Sequence, residues 1–116
     1  GLDDLIGGRP DAAAALSDGD SVQNHLVLAH CPATRDRLQM PAEHPASLVL
    51  SGHTHGGQVA PFGIALVRPT GSGRYVSGWY RDDGPPLYVS CGIGTSLLPV
   101  RIGATPELVQ IDWSLA

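Results

Sequence analysis

The sequence predicts an α/β (α+β) chain with a β-rich C-terminal half. Three observations carry this. Two short continuous apolar runs, "HLVLAH" and "ASLVLSG", read as buried strands, with a polar stretch between them that suits a crossover. Gly (15) and Pro (10) are abundant among 116 residues, which favours turns and short strands over long helices. After Gly52 the chain becomes a series of strand-like runs split by Gly and Pro.

Taken in order, the opening "GLDDLIGG" reads as the tail of a strand entering a loop, with Asp3 and Asp4 as loop caps. In "PDAAAALSDG", Pro10 and Asp11 suit a first helical turn, the alanines suit its body, and Gly19 suits its end. Leu26 to Ala29 form the first strand, "CPATRDRLQM" a loop with a short helix, and "ASLVLSG" the second strand. This first part is βαβ-like. Five strand-like runs follow: "VAPFGIALVRP", "GRYVSGWYRD", "PLYVSCG", "LLPVRIG" and "ELVQIDWSL". "RDDGPP" between two of them reads as a hairpin connection, and Tyr75, Trp79 and Tyr80 as strand packing.

Composition narrows the function. Apolar residues make up 42%, which suits a modest core, and the length suits one domain at most. Net charge is −4 with no basic run, which argues against a nucleic-acid patch. No stretch reaches the ~18 consecutive apolar residues of a membrane span. Two cysteines, Cys31 and Cys91, make no disulfide framework and read as free buried thiols.

The chemistry concentrates in histidine. His30 follows one apolar strand, and His53 and His55 follow the next in "LVLSGHTHGGQV". If the strands are neighbours, their ends meet at one sheet edge, where sites of α/β folds form. Three imidazoles there suit Zn, Mn, Fe or similar ions. Gly52 permits a sharp turn, and Gly56 and Gly57 let backbone pass close to a metal or phosphate. A lone histidine after a strand is more often a hydrogen-bonded loop residue; the pair of strand-end motifs is the stronger signal. His25 and His44 read as surface residues.

"LAHCP" followed by "LVLSGHTHGGQV" resembles the last two metal motifs of the calcineurin-like metallophosphoesterases. "GRYVSGWY", "LYVSCGIGTSLLPVRIG" and "PELVQI" resemble a bacterial, often membrane-associated branch of that superfamily. The resemblance implies a four-layer β-sandwich flanked by helices, with residues 1–116 the C-terminal part of a single domain. It implies two divalent metal ions, Mn, Fe or Zn, with His30 and His53 on the second and His55 on the first. It places Gly56, Gly57 and Gln58 along the phosphate pocket. It implies a phosphorylated small-molecule or lipid-linked substrate, and an N-terminal half or self-association as partner.

The family's D-x-H, G-D-x-x-D and G-N-H motifs are not in these 116 residues; "DGDSVQ" at 18–23 does not match. A bridging carboxylate and a general acid are therefore expected elsewhere, and the isolated chain is expected to be inactive, with unpaired sheet edges. Metal-dependent hydrolysis of a phosphomonoester, phosphodiester or pyrophosphate bond is the expected activity of the complete protein. The alternative is a non-catalytic β-rich metal-binding or interaction module. An amidohydrolase barrel also uses H-x-H but needs ~250 residues.

Overall fold

The computed structural model describes residues 1–17 and 24–114. Helix α1 (Ala12–Leu16) starts one residue later than expected: Asp11 is its N-cap, with the carboxylate accepting from the Ala14 N–H at 2.9 Å, and Pro10 precedes the helix. The expected helix end at Gly19 and the "DGDSVQ" stretch lie outside the described residues.

Strand β1 (His25–Leu28) leads through the single-turn helix α2 (Thr34–Arg37) into β2 (Ala46–Ser51). β1 and β2 pair in parallel, so this is the expected βαβ unit. Strands β3 (Gly78–Tyr80) and β4 (Leu87–Val89) pair antiparallel across the "RDDGPP" connection, and β4 also pairs in parallel with β2. The result is one mixed four-stranded sheet, ordered β1-β2-β4-β3, in an α/β fold consistent with a metallophosphoesterase domain.

β2 and β4 are central, and they supply much of the core. Val49, Leu87 and Val89 are fully buried with Tyr75, and Val27 and Ala29 complete the cluster. β1 departs from the expectation of a strand buried on both faces. It is an edge strand, and it alternates: Val27 faces the core, while Leu26 and Leu28 are each 51% exposed.

Three of the five later runs are not strands. "VAPFGIALVRP" contains a 3₁₀ turn (Pro61–Gly63), and it meets "LLPVRIG" only through isolated bridges from Val59 to Ile102 and Gly103. The described residues of "ELVQIDWSL" contain no strand. Apolar content alone does not make a strand; it needs a partner and a face to bury. Pro61, Pro69, Pro99 and Pro106 remove ladder donors. Leu66, Val67, Leu98 and Leu108 remain more than 60% exposed.

The hairpin connection is tied down by a buried cation. Arg35 is only 4% exposed. Its Nε donates to the Pro85 carbonyl at 2.7 Å, its Nη1 to the Tyr75 hydroxyl at 2.9 Å, and it pairs with Asp82 at 2.5 Å. Arg74 pairs with the other carboxylate oxygen. Tyr75 and Tyr80 meet edge to face with ring centres 4.8 Å apart, so these aromatics do serve packing.

Candidate metal centre

Because β1, β2 and β4 run in parallel, their carboxyl ends share one edge. β1 ends at Leu28, β2 at Ser51 and β4 at Val89, and each is followed two residues later by a side chain with metal chemistry: His30, His53 and Cys91. The expectation that two strand-end histidine motifs converge therefore has a simple cause in the sheet topology. His25 and His44 lie at the opposite, amino-terminal end of β1 and β2, half-buried and packed edge to face with ring centres 5.0 Å apart.

The turn after β2 is conformationally unusual. His53, His55, Gly56, Gly57 and Gln58 all have positive φ, at 68°, 52°, 64°, 82° and 52°. Non-glycine residues adopt this region at a cost and keep it only where their surroundings enforce it. Thr54, the exception at −76°, provides much of that enforcement. It is 3% exposed; its hydroxyl donates to the Val76 carbonyl at 2.5 Å and accepts from the Gly56 N–H at 3.3 Å.

His53 and His30 face one another. Nδ1 of His53 lies 3.1 Å from Nε2 of His30, and the ring centres are 4.8 Å apart. Nε2 of His53 lies 2.7 Å from the Thr70 carbonyl, which can only accept, so Nε2 carries the hydrogen. The Nδ1 of a neutral His53 therefore carries a lone pair, turned to His30. A backbone carbonyl orienting one ring nitrogen while the other is left for an ion is the usual outer support of a histidine ligand.

His55 is held differently: its Nδ1 lies 3.1 Å from the Gln58 side-chain oxygen. His30, His53 and His55 line one cavity of about 410 Å³ with Gly57, Gln58 and the apolar residues Val59, Val67, Leu97 and Leu98. The cavity brings all three predicted ligands to one place. Among the described residues, however, no three His, Cys, Asp or Glu side chains are grouped closely enough to enclose an ion by themselves.

The glycines serve close packing. A Cβ on Gly56 would lie 2.7 Å from the Cys91 sulfur, and one on Gly57 would lie 2.5 Å from the Ala65 Cβ. Their N–H groups are occupied within the turn, by the Thr54 hydroxyl and the Thr54 carbonyl. Gly57 and Gln58 line the cavity, and Gly56 does not.

The supports Thr54, Thr70 and Arg101 are absent from the sequence reading. Arg101 donates to the carbonyls of Cys91, Gly94, His55 and Ala104, which fixes the 91–104 segment against the turn. A hydroxyl between two histidines is a local signal for Thr54. Thr70 acts through its backbone and leaves no signal. Asp3 and Asp4 are loop caps as read: backbone N–H groups of Arg9 and Asp4 lower the Asp3 pKa, and those of Gly7 and Ile6 lower that of Asp4. Both cysteines are free thiols; Cys31 is fully buried and Cys91 half-buried.

Fold and site together define an α/β sheet with three imidazoles gathered at its carboxyl edge around one cavity. The comparisons narrow this. The chain is 37% identical over 108 residues to a protein of Bacillus subtilis named uncharacterized metallophosphoesterase YkuE, which covers 92% of the chain and 37% of that relative. It is 38% identical over 103 residues to an uncharacterized metallophosphoesterase of Helicobacter pylori strain J99, covering 88% of the chain and 26% of the relative. It is 34% identical over 88 residues to phosphodiesterase YaeI of Escherichia coli, covering 75% of the chain and 31% of the relative. No family model and no solved structure matches. The chain belongs with the calcineurin-like metallophosphoesterases. It spans about a quarter to two-fifths of the length of these relatives.

Proposed function

We propose that the complete protein is a metal-dependent phosphoester hydrolase, and that this chain supplies the histidine-rich part of a two-metal site. The observation that supports it most is the 3.1 Å separation of His53 Nδ1 and His30 Nε2. Two imidazole nitrogens each about 2.0–2.1 Å from one ion stand about 2.8–3.4 Å apart when adjacent in an octahedral or tetrahedral shell. Neutral imidazole donors suit Zn, Mn or Fe. His30 and His53 would share one ion, and His55, tied to Gln58 rather than to either of them, would serve a second.

When bound, such ions supply Lewis-acid charge and lower the pKa of a water nucleophile. The chain's own residues hold and orient. Thr70 fixes His53 so that Nδ1 is its donor nitrogen. Thr54 keeps His53 and His55 on one rigid turn. Gly57 lets Ala65 pack against the turn where it borders the cavity. The exposed Val67, Leu97 and Leu98 around the cavity favour a phosphoester with an apolar part, such as a lipid-linked one, over a wholly polar one. A bridging carboxylate and a general acid would come from residues outside these 116.

The test is hydrolysis of bis(p-nitrophenyl) phosphate with added Mn²⁺ by the complete protein and by its His53→Ala/His55→Ala variant. Turnover lost in the variant supports the reading. Turnover unchanged in the variant, or none in the complete protein with Mn²⁺, Zn²⁺ or Fe²⁺, favours the non-catalytic module instead.

A further inference from the structure

We infer that Gln58 is a positioning residue: it fixes the tautomer of His55 and clamps the 96–98 segment beside it, and does not itself contact the phosphoester. The orientation of its amide is determined by three backbone partners. The Ser96 N–H lies 2.7 Å from one end of the amide, and a backbone N–H can only donate, so that end is the oxygen. The other end lies 2.9 Å from the Ser96 carbonyl and 3.0 Å from the Leu98 carbonyl, which only accept, so it is the nitrogen. The atom facing His55 Nδ1 at 3.1 Å is therefore an oxygen, and His55 must carry its hydrogen on Nδ1. In a neutral ring this leaves Nε2 as the lone-pair nitrogen.

Each polar atom of the Gln58 side chain now has two partners, and nothing remains for a ligand. The backbone agrees. The Gln58 N–H donates to the His55 carbonyl at 3.0 Å, and its carbonyl accepts from the Ile102 N–H at 2.9 Å. Gln58 also adopts φ 52°, a conformation that the bonds on both sides enforce. The clamped segment carries Leu97 and Leu98, which form part of the cavity wall. One side chain thus sets both the donor atom of His55 and the position of the apolar wall beside it.

The test uses the complete protein and two variants of it. Gln58→Leu removes every side-chain bond. Gln58→Glu keeps an acceptor for His55 and Ser96 but turns a carboxylate toward the Ser96 and Leu98 carbonyls. Long-range ¹H–¹⁵N imidazole spectra read the His55 tautomer directly. The inference expects Nδ1–H in the unmodified chain and in Gln58→Glu, and a shift toward Nε2–H in Gln58→Leu. Binding of Zn²⁺ alone, followed by calorimetry, should weaken about 10–100-fold in Gln58→Leu, and no further when Gln58→Leu is added to His55→Ala. An unchanged tautomer in Gln58→Leu overturns the inference, as does an additive loss on the His55→Ala background. The metal arm rests on the proposed function; the tautomer arm does not. If the tautomers behave as stated and Zn²⁺ does not bind, the positioning by Gln58 stands and the proposed function fails.

Discussion

His53 Nδ1 approaches His30 Nε2 to 3.1 Å although the two residues lie on separate strand ends. The contact follows from parallel pairing of β1 with β2, which places both ends on one edge. Without an ion, one of the two nitrogens must donate to the other. Because His53 gives its hydrogen to Thr70, the donor is Nε2 of His30. With an ion between them, His30 would instead carry its hydrogen on Nδ1.

Thr54 is expected to hold the turn through its hydroxyl. Thr54→Val keeps the shape and the β-branch but leaves the part-buried Val76 carbonyl and the buried Gly56 N–H without that partner. Leaving such groups unpaired costs about 1–3 kcal/mol. Chemical denaturation should show a loss of that size, and Thr54→Ser should recover most of it.

Gly57→Ala should also destabilise, for a steric reason. Its φ of 82° is unfavourable for alanine, and the new methyl would lie 2.5 Å from Ala65 Cβ. Overpacking of this kind costs about 1–3 kcal/mol. Gly52→Ala is the control, since a Cβ there meets nothing within 4 Å. Equal unfolding midpoints for the two variants would contradict the packing role given to Gly57.

Asp82 makes part of the stability depend on acid. Arg74 and then Arg35 hold its carboxyl below the usual carboxylate range. The unfolded chain therefore takes up a proton at higher pH than the folded one. The contribution is complete above the unfolded value, about 3.9, and is lost as pH falls through the lower folded value. Asp82→Asn should lower the melting temperature at pH 7, leaving buried Arg35 without its counter-charge. The gap between variant and unmodified chain should narrow as pH falls below the unfolded value. A gap that is constant with pH would show that the pair contributes packing alone.

Cys31 should be slow toward thiol reagents. It is fully buried, and burial, followed by the nearby Asp4 carboxylate, pushes its thiol up to about 11. Since the thiolate is the reactive form, alkylation at pH 7.5 should modify Cys91 first and Cys31 only on unfolding. Mass spectrometry of the partly labelled protein reads this order. Early labelling of Cys31 would mean that the β1 end opens readily.

The βαβ unit and the hairpin were legible because their signals are local. "HLVLAH" and "ASLVLSG" are short apolar runs of strand length, and "RDDGPP" marks the hairpin. The shared edge of His30 and His53 follows from that adjacency. The later runs misled because "LLPVRIG" and "ELVQIDWSL" have strand-like composition but no strand alongside them among the described residues. The supports of the site were hidden for another reason. Gln58 reaches Ser96, Arg101 reaches His55, and Thr70 offers a backbone carbonyl to His53; such contacts depend on tertiary placement that no local pattern encodes.

In the proposed two-metal site, His30 and His53 share one ion. Calorimetric titration of the complete protein with Mn²⁺ or Zn²⁺, with His30→Ala, His53→Ala and the double variant in parallel, tests it most directly. A shared ion means that each single variant weakens the same binding event at least about 10–100-fold, the loss typical of removing even an outer partner, and that the double variant loses far less than the sum. Two separate events, one lost with His30 and the other with His53, would contradict it.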